Sequence, residues 1–333
     1  MSAGLKRLLH HGGLLHLARL ARQRTRALVL RYHAITPSAD EVLYAAPSIC
    51  LSAEAFRLQM RFLRRAYRVV PLAELVAAIQ RGGPLPPRAV AITFDDGYTD
   101  NFTLAGPVLR ELSLPATVYV STGTLDGGPP LWMSVCRTVA LLATGDRLAV
   151  PGMDSIALGA RDQRGPAIRA LTRALVALDP VDRAERLAGA AGSAGVDPSH
   201  ALADVMLTWD QVRALSGTGW TIGAHTVTHV NVALATPRIA EAEITASRDA
   251  VTHATGVRCE HFAYTNAGGE AQYFSPAVAD LLRRSGFQSA VTSAPGALHP
   301  GADPFLLPRI GVSPRLAGAP DFAAALERQR LAA

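Results

Sequence analysis

The chain has 333 residues, of which 49% are apolar, 18% charged and 6% aromatic, with a formal net charge of +6. That length suits one large domain or two ordinary ones, and the apolar share excludes general disorder. No uninterrupted run of about 18 apolar residues is present to cross a membrane. Cys50, Cys136 and Cys259 lie too far apart for a zinc ribbon or a disulfide scaffold. A nucleic-acid reading would want the basic excess gathered on one surface; its one clear cluster in sequence is at the start, where residues 1–39 carry Lys6 and six arginines but no acid.

Residues 1–26 read as a basic amphipathic helical segment carrying Leu8, Leu9, Leu15 and Leu20, suited to pack on its own domain or to touch an anionic membrane surface. His10, His11, Gly12, Gly13, His16 and Arg19 break up its leucines, so no cleavable secretory signal is expected. The location expected is cytoplasmic, with peripheral contact at the inner membrane face. A domain over 27–333 follows. Strands are expected at Ala27–His33, Tyr67–Val70, Ala89–Phe94, Ala116–Ser121, Trp220–Gly223, Glu260–Tyr264, Gln288–Thr292 and Leu306–Val312. Helices are expected after the Ser52 N-cap and at Leu72–Ile79, Thr103–Leu112, Trp209–Ser216, Pro237–Thr255 and Pro276–Ser285. Residues 131–205, rich in Ala, Leu and Arg, read as a helical insertion that either walls a groove or pads the domain. Strands alternating with helices imply a parallel sheet, open or closed into a barrel, with chemistry at the carboxyl ends of its strands.

Four groups of polar residues follow apolar runs. Asp95 and Asp96 end the strand Ala89–Phe94 and precede Gly97. Adjacent carboxylates there are costly to bury unless paired or bound to a cation, and successive residues point to opposite sides. His225 and His229 stand at i and i+4, a spacing that puts both on one face of a helix and lets them share a metal. Thr226 occupies the place of the glutamate in an HExxH protease motif, which excludes that chemistry. Tyr32-His33 ends the first strand, and Phe262-Ala263-Tyr264 runs into a loop bearing Gly268 and Gly269. Trp132, Trp209 and Trp220 could stack on sugar rings, though the last two sit in core-like patterns, and the cysteines read as buried free thiols.

TFDDGY and HTVTH, in that order and each after a strand, together resemble the metal-dependent polysaccharide deacetylases (carbohydrate esterase family four, the chitooligosaccharide deacetylase homology domain). The likeness spans about residues 27–312 without the insertion and includes LPATVYVSTG and GWTIGAHTVTH. It implies a distorted (β/α) barrel of about seven parallel strands. Carried over residue by residue, it implies Asp96, His225 and His229 as ligands of a divalent metal, zinc first, and Asp95 as catalytic base. Tyr264 would offer its backbone N–H to an oxyanion, although Thr265 stands where the family commonly has proline. The family's late Leu-His is absent; Leu307-Pro308-Arg309-Ile310 stands there. A branch with permuted strand order carries the acid early in a Tyr-His pair, which favours His33 over the competing His299. Arg309 is a candidate to orient Asp95. The activity implied is hydrolytic deacetylation of an N-acetylated glycan, with no nucleic acid and no inferable protein partner. A small-molecule amidase and a degenerate glycan-binding protein are the alternatives.

Overall fold

A computed structural model describes residues 26–38, 42–266 and 272–331. In chain order the strands are β1 (Leu28–Tyr32), β2 (Ala34–Thr36), β3 (Cys50–Ser52), β4 (Arg68–Val69), β5 (Ala89–Phe94), β6 (Thr117–Val120), β7 (Arg147–Leu148), β8 (Ile156–Ala157), β9 (Thr221–Ala224), β10 (His261–Ala263), β11 (Ser289–Val291) and β12 (Ile310–Gly311). The helices are α1 (Ala53–Ala66), α2 (Leu72–Gln80), α3 (Gly106–Glu111), α4 (Trp132–Leu142), α5 (Gly165–Leu175), α6 (Pro180–Ala194), α7 (Pro198–Ala201), α8 (Trp209–Gly217), α9 (Pro237–Thr255), α10 (Pro276–Arg284) and α11 (Ala319–Leu331). Seven parallel strands run in the order β11-β10-β9-β6-β5-β1-β12, with β4 also pairing β5. The last segment joins the two edges. Leu307 bridges to Val291 beside β11, and Ile310–Gly311 pair with β1. The architecture is therefore a distorted (β/α) barrel.

The middle of the sheet forms because it is apolar on both faces. Every residue of β5 is buried, as parallel strands sandwiched between helices and barrel interior require. Around it the helices begin where local chemistry starts them. The Ser52 hydroxyl accepts from the Ala55 N–H at the start of α1, whose Phe56, Met60 and Leu63 face the core. Thr208 and Gln211 form a capping box on α8. The helix expected over Thr103–Leu112 opens instead as a π-turn at Asn101–Ala105 and continues as α3. Two features had no clear signal in the sequence, the short parallel pair β2–β3 and the closing helix α11.

Between β6 and α8, the β7–β8 hairpin and helices α4–α6 pack on a hydrophobic cluster of their own, built on Cys136, Leu171, Leu175 and Leu187. All three cysteines are buried and none is in a disulfide. Of the basic segment expected over residues 1–26, residues 1–25 lie outside the described residues, as do residues 267–271; Arg26 enters the fold as irregular chain. Among the described residues no helix is long and apolar enough to cross a membrane.

Gly223 on β9 allows the barrel wall to close. A Cβ there would meet the Tyr119 ring at 2.4 and 2.6 Å and the His261 carbonyl oxygen at 2.8 Å. Gly223→Ala is expected to destabilise the fold by about 1–3 kcal/mol through overpacking, read as a lower denaturant midpoint with unchanged slope.

Candidate active site

The end of β5 is pinned from both sides. The Asp95 N–H donates to the Tyr32 carbonyl of β1, and the Ser121 N–H after β6 donates to the Asp96 carbonyl. Asp96 and Gly97 then both take left-handed backbone, at φ 78° and 87°. For Asp96 this is a strained state of the kind that collects at functional sites. The turn sends the two carboxylates to different partners. Asp95 meets Arg309 in two parallel bonds, Nη1 to Oδ1 and Nη2 to Oδ2, both 2.7 Å. Asp96 Oδ1 faces His225 Nε2 at 3.4 Å and His229 Nε2 at 3.3 Å.

The histidine segment is not helical, which corrects the i, i+4 helical reading. It is a loop leaving β9, with Thr226 at φ 64° and His229 at φ 55°. Those turns bring the rings within 4.8 Å, centroid to centroid. The buried Glu243 on α9 holds the loop. Its Oε2 accepts from the Val227 and Thr228 N–H groups at 2.7 and 2.9 Å, and its Oε1 accepts from the Thr228 hydroxyl at 2.7 Å. From the insertion, Trp132 Nε1 donates to the His229 carbonyl at 3.1 Å. Neither Glu243 nor Trp132 stood out as a positioning residue in the sequence. The only sequence signal for Glu243 is an acid inside an otherwise ordinary amphipathic helix. Glu243→Ala is expected to weaken metal affinity about 10–100-fold, as loss of groups that orient ligands does, measured by competition with a chelating dye.

These residues fit a divalent cation. His225 Nδ1 donates to the Ala263 carbonyl at 2.8 Å, so in the neutral ring Nε2 is bare and points its lone pair at Asp96 Oδ1. Two acceptors facing each other across 3.4 Å need a proton or a cation between them. One ligand atom from each of Asp96, His225 and His229 lies within 4.8 Å of the others, and all three residues are buried. The donor set, one carboxylate oxygen and two imidazole nitrogens, suits zinc with further positions open to water and substrate.

His33 follows β1, with Nε2 3.9 Å from Asp95 Oδ2. Asn101 Nδ2 fixes its carbonyl at 2.8 Å. Burial pulls the His33 pKa down to about 4, against the opposing pull of Asp96 and Asp95. Burial alone would raise the Asp95 carboxyl, but Arg309, with His225 and His33, more than offsets this and holds it at about 2. Asp96 is likewise held well below 3.8: burial raises it, and the facing His225 and His229 rings, in the form that carries a proton toward it as a bound cation would carry charge, lower it more.

Asp95, Asp96, His33, His225, His229 and Tyr264 all line one cleft of about 460 Å³, with Arg309 buried behind Asp95. The insertion walls one side through Met133, Ile168 and Thr172. His299 is exposed on a loop away from this lining. Tyr264 requires a correction. Its N–H donates to the Val291 carbonyl at 3.1 Å and its hydroxyl to the Phe305 carbonyl at 3.1 Å, so that N–H is not free for an oxyanion. Trp220 stacks on Phe94 in the core, and Trp132 lies under Arg183 rather than open to a sugar.

A family model described as polysaccharide deacetylase matches residues 82–140 and 183–289, which take in β5, β6, β9 and β10 and both ends of the insertion. The chain belongs to the polysaccharide deacetylase family. Over 71 residues it is 41% identical to the poly-beta-1,6-N-acetyl-D-glucosamine N-deacetylase of Escherichia coli K12, a match covering 21% of this chain and 10% of that protein. The match thus spans about a tenth of that relative's length. In fold the chain is similar to the deacetylase PplD of Streptococcus pyogenes, solved in complex with acetate, with a TM-score of 0.59, 18% identity and coverage of 92% of this chain and 98% of that one. IcaB from Ammonifex degensii gives a TM-score of 0.59 and 19% identity over 90% of this chain and 97% of that one.

Proposed function

We propose that this protein is a metal-dependent hydrolase that removes acetyl groups from N-acetylated sugars in a polysaccharide or glycan precursor, with zinc as its ion. One observation carries the reading: a carboxylate faced by two imidazole nitrogens lies beside a second carboxylate that is ionised and clamped, in one cleft. Asp96, His225 and His229 would hold the ion, which when bound supplies polarisation of the acyl carbonyl and a more acidic water.

The chain's own residues handle the protons. Asp95, held at about 2, is a carboxylate throughout the neutral range and accepts a proton from the attacking water. Arg309 bonds one lone pair of each Asp95 oxygen and leaves the others to face the cleft. His33 is a neutral imidazole in the resting protein, with one bare ring nitrogen, so it becomes a general acid only after taking up a second proton. At 3.9 Å from Asp95 it is placed to receive the proton taken from water and pass it to the departing nitrogen. Hydroxide oxygen adds to the acyl carbon, the C–N bond breaks, and acetate and a free amino sugar leave.

The relative from Escherichia coli is named for a β-1,6-linked N-acetylglucosamine polymer, which makes such oligomers the first substrates to assay. Metal-loaded protein is expected to release acetate from β-1,6- or β-1,4-linked N-acetylglucosamine oligomers faster than from a panel of small linear and cyclic amides. Turnover confined to the small amides, or absent from every N-acetylated glycan, would overturn the proposal.

A further inference from the structure

Arg31 lies on β1 two residues before His33, on the same side of the strand, and lines the same cleft. It is half-buried, its Nε is buried with no hydrogen-bond partner, and its Nη1 donates to the Ser293 hydroxyl. Among the described residues no carboxylate lies in ion-pair reach of it. Among the described residues, the two carboxylates lining the cleft are already matched, Asp95 by Arg309 and Asp96 by the two imidazoles. Burial, then the neighbouring Arg309, lower its pKa, with Asp95, Tyr273 and Asp96 opposing. A guanidinium so placed, with no carboxylate of the described residues in ion-pair reach, is costly for a resting protein. Gly311 on β12 makes room for it: a Cβ there would come within 3.0 Å of Arg31 Nη2. Arg137 on α4 and Arg169 and Arg173 on α5 also line the cleft and make it positive.

We propose that the cleft takes an N-acylated sugar bearing an anionic substituent, a carboxylate or a phosphate, and that Arg31 receives that group. The proposal rests on the deacetylase reading above. The guanidinium fork matches either oxyanion in two parallel bonds. The Ser293 hydroxyl, which accepts from Arg31, keeps its own proton to donate to the same anion.

The test compares two N-acetylated oligosaccharides of equal length, one neutral and one carrying uronate or phosphate groups. Acetate release is measured for the wild type, Arg31→Lys and Arg31→Gln. Inorganic phosphate and acetate are titrated calorimetrically into the same metal-bearing proteins. The wild type is expected to favour the anionic substrate by about tenfold or more in kcat/KM, mainly through KM. Arg31→Gln is expected to erase that ratio and weaken phosphate binding by about the same factor, with Arg31→Lys between. Equal efficiency on both substrates by the wild type would overturn the proposal. So would a ratio unchanged in Arg31→Gln, or an effect of that variant on acetate binding alone, which would place product there instead. If neither oligosaccharide releases acetate, the deacetylase reading fails. The phosphate titration then decides Arg31 separately: binding lost in Arg31→Gln supports an anion site, and binding unchanged removes it.

Discussion

Asp96→Ala is expected to lose both metal and turnover, whereas Asp95→Asn is expected to keep the metal and lose turnover alone. The residues are neighbours in sequence, but the left-handed turn at Asp96 and Gly97 gives them separate partners. Among the described residues, Asp96 Oδ1 is the one carboxylate oxygen facing both His225 Nε2 and His229 Nε2. Without it two imidazoles remain, too few for a stable three-ligand site. Elemental analysis should read about one divalent ion per chain in the wild type and a trace in Asp96→Ala. Chelation should silence the wild type and metal add-back restore it, with no restoration in Asp96→Ala. Asp95 makes no hydrogen bond to the three ligand atoms; it bonds Arg309 and lies 3.9 Å from His33. Asparagine keeps its shape and removes its basicity, so kcat should fall about 10²–10⁴-fold. Full activity in Asp95→Asn, or stoichiometric metal in Asp96→Ala, would refute the division of labour.

That division was partly legible in the sequence, because the alternation of apolar strands and capped helices is local chemistry. Ala89–Phe94 and Pro237–Thr255 have the same limits in sequence and structure, since one is a fully buried β-branched run and the other a Thr-capped helix that ends at Gly256. The polar residues at strand ends were legible for the same reason: each breaks an apolar pattern where a barrel opens. The local conformation at His225–His229 was not. Its i, i+4 spacing is as compatible with two left-handed turns as with a helix, and the choice is made by Glu243 and Trp132, both distant in sequence. The Tyr264 N–H failed as an oxyanion donor for a similar reason. Its use by Val291 follows from the register of β10 on β11, which no local pattern encodes.

Arg309 carries the second large effect, because it decides the charge of a carboxylate that has almost no water. Arg309 is 1% exposed and Asp95 2%. Besides Asp95, the guanidinium donates from Nε to the Thr292 carbonyl at 2.8 Å and from Nη1 to the Thr93 hydroxyl at 3.1 Å. Arg309→Met fills similar volume and removes the charge, so burial becomes the dominant influence on Asp95. The expected destabilisation at neutral pH is about 3–5 kcal/mol, the usual result of removing one partner of a buried pair. The pH dependence should change sign. In the wild type the folded pKa of about 2 lies below the ordinary 3.8. The pair's stabilisation is therefore present above the ordinary value and lost as pH falls from there through the folded one. In Arg309→Met the folded pKa rises above the ordinary value. Asp95 then disfavours the fold increasingly as pH rises through the ordinary value toward the raised one. The acid limb of the pH–activity profile should move upward with it, because the base must be ionised to act. Denaturant melts at several pH values read the first effect and kcat/KM profiles the second. In the double variant with Asp95→Asn, part of the lost stability should return, since no charge is left stranded. A variant within about 1 kcal/mol of the wild type, with an unmoved acid limb, would show that Asp95 is held ionised by something other than Arg309.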